Sequence, residues 1–373
     1  MALVLNEEQV MLQDAARSFL RENAPVAHLR KIRDSGNTDG FSRELWTKMV
    51  EMGWSAILVP EEFGGLDYGF TGLGIVLEEC GRTLTPSPLL ATAVTGVAAL
   101  RLAASEQQKS EYLPAVADGS HLLALACDES ARHQPKRLSS EAEIRPPGYR
   151  LNGSKTAVLD GHVADTLIVS ARTGGGMSLF LVPANSQGVT VEPYAVLDTH
   201  RAARVHFEDV DLPASSLLGD LHHGQEILDH VLDAARIGAA AEMLGLAQEV
   251  FARTLDYLKQ RKQFGVPIGG FQALQHRAAH LYSEMELCRS VVIKALHSLD
   301  ADSDDVAELA SLAKAKLCQT AHLASTEAIQ MHGGIGMTDE FDIGFYLKRC
   351  KILENLYGDR YFHLDRYASL NGY

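Results

Sequence analysis

Two glycine-containing stretches decide the fold: Arg261–Gln272, RKQFGVPIGGFQ, and Gln330–Glu340, QMHGGIGMTDE. The first ends one long helical pattern and the second ends another. Gly333, Gly334 and Gly336 could suggest a dinucleotide-binding loop, but such a loop follows a strand in a βαβ unit, whereas these glycines follow a helix. The two stretches therefore indicate helix ends and disfavour a Rossmann fold.

Helical patterns occupy the C-terminal part of the chain. Apolar residues recur at helical spacing in Gln225–Arg261, Leu274–Asp300 and Asp304–His332. A further helix runs into a loop at Lys351–Arg360, KILENLYGDR. We therefore predict a C-terminal four-helix bundle over residues 216–373.

The preceding part of the chain changes its periodicity twice. Residues 1–120 contain helical patterns at Leu5–Glu22, Ser42–Gly53 and Phe70–Leu84. Residues 121–215 contain six short β-rich runs separated by turn residues. The predicted fold class is α+β and mostly α, with an N-terminal helical domain, a middle β-sandwich or barrel and the C-terminal bundle.

Composition narrows the functional classes. The chain has 373 residues and a formal net charge of −14, which disfavours nucleic acid and anionic membranes as partners. The N-terminus lacks the basic and apolar regions of a signal peptide, and no apolar run approaches the ~20 residues of a membrane span. The five cysteines form no CxxC pair. We therefore expect a cytoplasmic protein without a metal site.

The two glycine-containing stretches together resemble the acyl-CoA dehydrogenase family, and the resemblance covers nearly the whole chain. The shared pattern is RKQFGxPIxxFQ followed by QxxGGxGxxxE, in a helix–sheet–helix order. The ending Leu356–Asp359, LYGD, looks like that of the small subunits of bacterial dehydrogenases for dicarboxyl or steroid-side-chain thioesters. The resemblance implies at least a dimer.

The resemblance implies FAD-dependent α,β-dehydrogenation of an acyl-CoA thioester. In the family a carboxylate removes the α-proton, and the β-hydrogen leaves as hydride to flavin N5. The carbonyl must be polarised and the base desolvated, because the α-proton is a poor acid in water. The sequence contains no motif that identifies the acceptor that reoxidises the flavin. Electron-transfer flavoprotein and oxygen are therefore both possible acceptors.

The resemblance also assigns residues to the cofactor. Arg261 would meet the FAD diphosphate as a fork donor, while Gly333 and Gly334 would let the backbone approach the adenosine side. His332 either caps its helix or touches the cofactor. The complete set at this end is Arg261, Phe264, Gln272, Gln330, Gly333 and Gly334.

The isoalloxazine end departs from the family pattern. Where the family has Thr-Glu-Pro-x-x-Gly-Ser, this chain has Ala126–Arg132, ACDESAR. The family's Trp-x-Ser/Thr is replaced by Ala157–Leu159, AVL. Asp128 or Ser130 would contact the ring through backbone groups, or the segment is an ordinary strand-end turn.

Both positions of the family's catalytic glutamate lack a carboxylate. Cys350-Lys-Ile aligns with the family's Arg-Asp-Ala-Lys-Ile, which places Tyr357 on the glutamate of Tyr-Glu-Gly-Thr and Asp359 on the threonine near the flavin. The alternative glutamate lies one residue before a substrate-binding Arg, and that position is Ala235. Arg236 and Asp233 remain as the expected substrate-binding pair.

Glu242 is the remaining carboxylate on the same helix. It follows Ala235 by seven residues, which returns it to within about 20° of the same helix face. Its neighbours are small or apolar, a setting that raises a carboxyl pKa. Glu242 is therefore either a displaced base, an anchor for an unusual acyl tail, or half of a buried ion pair with Arg236 or Arg253.

Three functional hypotheses follow. The chain is an active dehydrogenase that uses Glu242, or a flavin-binding non-catalytic subunit of a heteromer whose partner supplies the carboxylate. The third hypothesis is a thioester-binding protein that has lost its flavin. The sequence leaves open a homo- or heteromeric dimer or tetramer.

Overall fold

A computed structural model describes residues 3–373. The chain divides into two compact units. One contains the chain up to Lys31 together with Gly74–Thr85 and Arg236–Tyr373, and the other contains Ile32–Leu73 and Pro86–Ala235. The three domain boundaries expected from the sequence remain predictions.

Eleven α-helices lie within residues 3–373, and they confirm the predicted helical parts at both ends of the chain. Their bounds are α1 Glu7–Asn23, α2 Val26–Asp34, α3 Arg43–Glu51, α4 Gly69–Thr83, α5 Val97–Ala103, α6 Glu106–Ala117, α7 Gly224–Gln260, α8 Gln272–Asp300, α9 Val306–His332, α10 Ile343–Asn355 and α11 Arg360–Leu370. Side-chain caps begin several of them: Asn6 forms a capping box at α1, and Ser105 does so at α6.

The middle of the chain forms one sheet with the order β6-β7-β3-β2-β4-β5-β8, and β1 pairs in parallel with β4. A separate two-stranded hairpin lies between α7 and α8. The strands are β1 Leu123–Ala126, β2 Glu141–Arg145, β3 Gly148–Leu159, β4 Thr166–Thr173, β5 Gly176–Pro183, β6 Val189–Ala195, β7 Arg201–Pro213, β8 Leu217–Leu218, β9 Lys262–Gln263 and β10 Val266–Pro267.

The sheet contains two strands that the sequence did not predict, β2 and β8. In β2 only Ala142 is buried, so the strand lacks an alternating apolar pattern. The residues of β8, Leu217 and Leu218, are too few for a period. The fold class is nevertheless confirmed, because the other six strands enclose an apolar core that includes Leu151, Val169 and Phe180.

Helices α4 and α7 cross at unusually short range. A Cβ added at Gly81 would lie 2.0 Å from the carbonyl oxygen of Glu242, and one at Gly245 would lie 1.7 Å from that of Glu78. Only glycine allows backbones to approach this closely. The crossing therefore fixes the segment of α7 that carries Glu242.

The C-terminal part contains five helices, α7 to α11, rather than the predicted four. Both α10 and α11 pack on α9, and α8 packs on α9 as well. Among residues 3–373, no helix is long and apolar enough to cross a bilayer, and no cluster of His, Cys, Asp and Glu could hold a metal ion. All five cysteines are buried thiols.

Candidate functional site

The first glycine-containing stretch folds as a tight hairpin. Gln263 pairs with Val266, so Phe264 and Gly265 form a two-residue loop. Both have positive φ, 54° and 80°, as the primed turns of hairpins require. Phe264 is 91% exposed and meets Phe271 edge to face at 6.1 Å between ring centroids. Its ring is therefore not part of a core within this chain.

The polar residues beside this hairpin keep their donors available. Arg261 is exposed, and its guanidinium forms no hydrogen bond or ion pair with any other residue in 3–373. Gln272, the first residue of α8, is also exposed. A guanidinium carries five N–H donors in a fork that matches phosphate geometry. Arg261 and Gln272 remain predicted cofactor ligands, and their side-chain N–H groups are available to donate hydrogen bonds.

The second stretch ends α9 with an open backbone. Gly333 has φ 65°, and a Cβ added at Gly333 or Gly334 would meet no atom within 4 Å. Gln330, in the last turn of α9, is exposed. Packing within the described chain therefore does not explain Gly334, whereas close approach by an external group would.

His332 caps α9, as one of the two alternatives expected. Its Nδ1 donates to the carbonyl of Ala328 at 2.7 Å, and its ring stacks on Tyr257 at 4.3 Å. Burial lowers the pKa of His332, which keeps the imidazole neutral. The residue thereby fixes the helix end from which Gly333 and Gly334 project.

The predicted isoalloxazine contacts, Asp128 and Ser130, are held within their own loop. The carboxylate of Asp128 lies 2.7 Å from His133 Nδ1 and accepts the Gln134 N–H at 3.0 Å. The Ser130 hydroxyl donates to the carbonyl of Arg132 at 2.8 Å. These side-chain bonds are those of a strand-end turn, and backbone contact to a flavin remains a prediction.

Sequence reasoning missed the ion pair that holds this loop. Glu129 accepts a hydrogen bond from Lys155 Nζ at 2.8 Å, and Lys155 is 1% exposed. Glu129 also accepts the backbone N–H of Ser140 at 3.0 Å. Burial alone would raise the pKa of Glu129, but the Lys155 hydrogen bond and charge outweigh it and lower that pKa to about 2. The available signal was the spacing of Lys155, which follows Leu151 by four residues and so falls on the same face of a regular strand.

The loop that carries Tyr357 is held by two buried cations. Arg236 Nε donates to the Tyr357 carbonyl at 3.1 Å, and its guanidinium lies over the Phe362 ring at 5.3 Å. Tyr357 is 6% exposed with φ 58°. Arg236 is thus brought together with Tyr357, while its substrate-binding role and the placement of Tyr357 at the family's base position stay predictions. Asp233 and Ala235 are buried on the same helix.

Lys314 is the second cation, and no motif or spacing in the sequence singles it out. Its Nζ donates to the carbonyls of Leu353, Glu354 and Gly358 at 2.7, 3.2 and 3.0 Å. It therefore binds the carbonyl end of α10, where a positive charge is favourable. Burial lowers the pKa of Lys314.

Asp359 begins the next helix. Its side chain accepts the backbone N–H of Phe362 at 2.8 Å, as an N-cap residue does. Gly358, at φ 111°, lies so close to the ring of Phe362 that a Cβ would approach within 2.5 Å. One oxygen of Asp359 is thus used in capping, and its expected contact with a flavin remains a prediction.

Glu242 forms a buried ion pair, but with a partner that the sequence did not suggest. Its Oε1 accepts from Arg349 Nε at 2.6 Å and its Oε2 from Arg349 Nη2 at 2.9 Å. Each residue is 4% exposed. The expected partners, Arg236 and Arg253, bind Tyr357 and Glu249 instead.

Family comparisons agree with this architecture along the whole chain. Residues 6–120 match the acyl-CoA dehydrogenase N-terminal domain, residues 124–210 the middle domain and residues 222–369 the C-terminal domain. The matched domains define a flavoprotein oxidoreductase. The chain belongs to the acyl-CoA dehydrogenase family.

Several relatives span almost the full chain. Probable acyl-CoA dehydrogenase YngJ of Bacillus subtilis is 32% identical over 363 residues, with 94% of each chain covered. Acyl-CoA dehydrogenase IpdE2 of Mycobacterium tuberculosis is 34% identical over 346 residues, covering 92% of this chain and 91% of the relative. The caffeyl-CoA reductase-Etf complex subunit CarC of Acetobacterium woodii is 27% identical over 361 residues, with 94% of each covered.

Solved structures of the family superpose closely. Butyryl-CoA dehydrogenase from Megasphaera elsdenii has a TM-score of 0.92 at 25% identity, with 100% of both chains covered. A chain of the ChsE4–ChsE5 complex from Mycobacterium tuberculosis has a TM-score of 0.91 at 25% identity, again with 100% of both covered. PigA, solved with FAD and proline, has a TM-score of 0.92 at 25% identity and covers 100% of this chain and 99% of that one.

Proposed function

We propose that this chain is a flavin-binding subunit of an FAD-dependent acyl-CoA dehydrogenase and that it does not carry its own α-proton base. The observation behind this is the bidentate pairing of Glu242 with Arg349. Both carboxylate oxygens accept from one guanidinium, so a substrate proton could reach either oxygen only if one of these hydrogen bonds broke. Tyr357 and Ala235 stand at the two positions where the resemblance places the family's glutamate.

FAD fits the residues available on α7, α8 and α9. The unpaired guanidinium of Arg261 suits a diphosphate, the exposed amides of Gln272 and Gln330 suit ribityl or adenosine groups, and Gly333–Gly334 offer an open backbone. When bound, FAD would supply the acceptor for the substrate's β-hydrogen. PigA, of the same fold, was solved with FAD.

The chain's own contribution is then binding and positioning. Arg236 and Lys314 hold the Leu356–Asp359 loop through backbone carbonyls, and these contacts do not involve the side chain at position 357. Tyr357 offers a phenol in place of a carboxylate, and a phenol in water is protonated at neutral pH, which makes it a poor proton acceptor. A partner subunit would therefore supply the carboxylate that removes the α-proton. We propose that both subunits are cytoplasmic, as expected from the sequence.

A homomeric dehydrogenase that uses Glu242 is the competing function. It would require Arg349 to release the carboxylate when substrate binds. The heteromeric form has support from the ChsE4–ChsE5 complex, whose chain superposes on this one, and the CarC relative is named as part of an Etf complex. We accordingly propose electron-transfer flavoprotein as the electron acceptor.

Purification of the chain alone tests the proposal. We expect a yellow protein whose flavin absorbance is not bleached by a panel of straight, branched, dicarboxylic and steroid-linked acyl-CoA thioesters. Fast bleaching by any of them would show that the chain has its own base. A colourless protein that still binds acyl-CoA would instead establish the flavin-free alternative.

The variant Tyr357→Glu tests the proposal through a gain of activity. Because the loop is held through its backbone, a glutamate there should take the family's base position and make the flavin bleach with a suitable thioester. Tyr357→Gln is the matched control, since it has the same shape without a basic oxygen. Equal behaviour of the two variants would argue that more than the base is missing from this site.

A further inference from the structure

A cavity of about 300 Å³ lies between α1, the start of α2, the end of α4 and α7, and none of the predicted flavin residues lines it. This volume is at the lower end of the range for small-ligand sites. Six of its ten lining residues are charged, and four of these six are arginines, which suits an anionic ligand. The lining residues are Arg17, Leu20, Arg21, Pro25, Val26, Glu79, Arg82, Thr83, Glu249 and Arg253.

The two carboxylates in this wall are already neutralised. Glu79 accepts from Arg17 Nε and Nη2 at 3.1 and 2.7 Å and from Arg82 Nε at 3.2 Å. Glu249 accepts from Arg253 Nε at 2.8 Å. Both oxygens of Glu79 and one oxygen of Glu249 therefore accept from guanidinium groups, which weakens the repulsion between these carboxylates and an anion in the cavity.

The arginines hold more donor capacity than these pairs use. Arg82 and Arg253 also bind Glu78 and Asp342, at 3.3 and 3.1 Å, but neither of these acids lines the cavity. Each guanidinium has five N–H donors, and the contacts above use two nitrogens of each. The wall thus presents four guanidinium groups and two carboxylates.

Arg21 is the clearest sign of an incomplete site. It lines the cavity and is exposed, yet its side chain makes no hydrogen bond or ion pair with another residue in 3–373. The ion pairs that join α1, α4 and α7 do not need it. The lining itself carries four arginines and two carboxylates, a formal charge of +2, in a chain of net charge −14.

We propose that this cavity binds a small phosphate-bearing anion, with Arg21 as the ligand that is not otherwise engaged. Guanidinium forks bind phosphate through paired, charge-assisted hydrogen bonds. Because helices α1, α4 and α7 meet here, the bound anion would connect them. The proposal is independent of the flavin and of the dehydrogenase reaction.

Isothermal titration of the full chain as purified, with inorganic pyrophosphate at constant ionic strength, tests the site. We expect saturable binding at one site per chain, weakened about tenfold or more by Arg21→Gln because a charge-assisted pair is lost. Arg360→Gln is the matched control, since Arg360 is exposed on α11 and does not line the cavity. Absence of saturable binding, or equal binding by Arg21→Gln, would overturn the proposal.

Two further arms separate the alternatives. Pyrophosphate could occupy the predicted flavin residues instead, in which case Arg261→Gln rather than Arg21→Gln would weaken it and the cavity assignment would be wrong. Citrate tests the chemistry of the anion, and tighter binding of citrate than of pyrophosphate would overturn the assignment to phosphate. A saturable heat of pyrophosphate binding that is lost in Arg21→Gln, but kept in Arg261→Gln and Arg360→Gln, supports the proposed site.

Discussion

Glu242 and Arg349 form a two-point ion pair between α7 and α10, with N–O distances of 2.6 and 2.9 Å and both residues 4% exposed. Removal of one partner would leave the other as an uncompensated buried charge. We expect Glu242→Ala to lower the free energy of unfolding by about 3–5 kcal/mol, measured by urea denaturation.

The double variant Glu242→Leu/Arg349→Met provides the control for this pair. Replacing both members of a buried pair by apolar residues of similar size is often neutral or stabilising by about 1–4 kcal/mol. The double variant should therefore be more stable than Glu242→Ala. A Glu242→Ala protein as stable as the parent would show that Arg349 finds other compensation.

Lys314 should be essential for the order of the Leu356–Asp359 loop. Lys314→Met removes the donor to three carbonyls, and hydrogen bonds to a charged group contribute about 1.5–3 kcal/mol. We expect a loss of at least about 2 kcal/mol in unfolding free energy, with faster amide hydrogen exchange in the loop. Lys294→Met is the control, since that lysine is 55% exposed in its pair with Asp305. Unchanged exchange in Lys314→Met would contradict the assigned role.

The Glu129–Lys155 pair should make the chain acid-sensitive. The folded-state pKa of Glu129 is about 2, below its ordinary 4.5, because Lys155 favours the carboxylate in spite of burial. Its contribution to stability is therefore complete above pH 4.5 and is lost as the pH falls from 4.5 towards 2. Glu129→Gln should flatten this part of the unfolding free energy plotted against pH.

A surface pair is the comparison for the acid effect. Glu141 lies 3.2 Å from Arg172, and both side chains are more than half exposed, so their interaction is screened by solvent. Glu141→Gln should leave the acid limb of the stability curve unchanged. An equal change in both variants would mean that net charge, rather than the buried pair, sets the acid sensitivity.

The close crossing of α4 and α7 predicts intolerance to even one methyl group. Gly245→Ala would place its Cβ 1.7 Å from the Glu78 carbonyl oxygen, so the helices must separate. We expect the free energy of unfolding to fall by about 3 kcal/mol or more, the upper end of the usual range for overpacking. Gly344→Ala on α10 is the control, because nothing lies within 4 Å and alanine favours a helix. Similar stability of Gly245→Ala and the parent would exclude the crossing as described.

Sequence alone determined the order of helices and strands and the identity of the family. Helical periods are long in α7, α8 and α9, and the six predicted strands have alternating or continuous apolar runs, so local patterning suffices for them. It failed for β2, whose exposed acidic residues acquire strand structure only by pairing with β3 and β4. The absence of a glutamate at Tyr357 and Ala235 was also evident from residue identity.

Only the tertiary structure decided which charges meet. Arg349 lies 107 positions from Glu242, and Lys314 lies 39 to 44 positions from the carbonyls that it binds, so no local pattern links them. Both cations are buried, and in a medium of low dielectric a charge must find a partner wherever the fold supplies one. The sequence left Glu242 open as a base, an anchor or half of an ion pair. Hydrophobicity indicates that the residue is buried, but it cannot show the guanidinium of Arg349 that α10 brings to it.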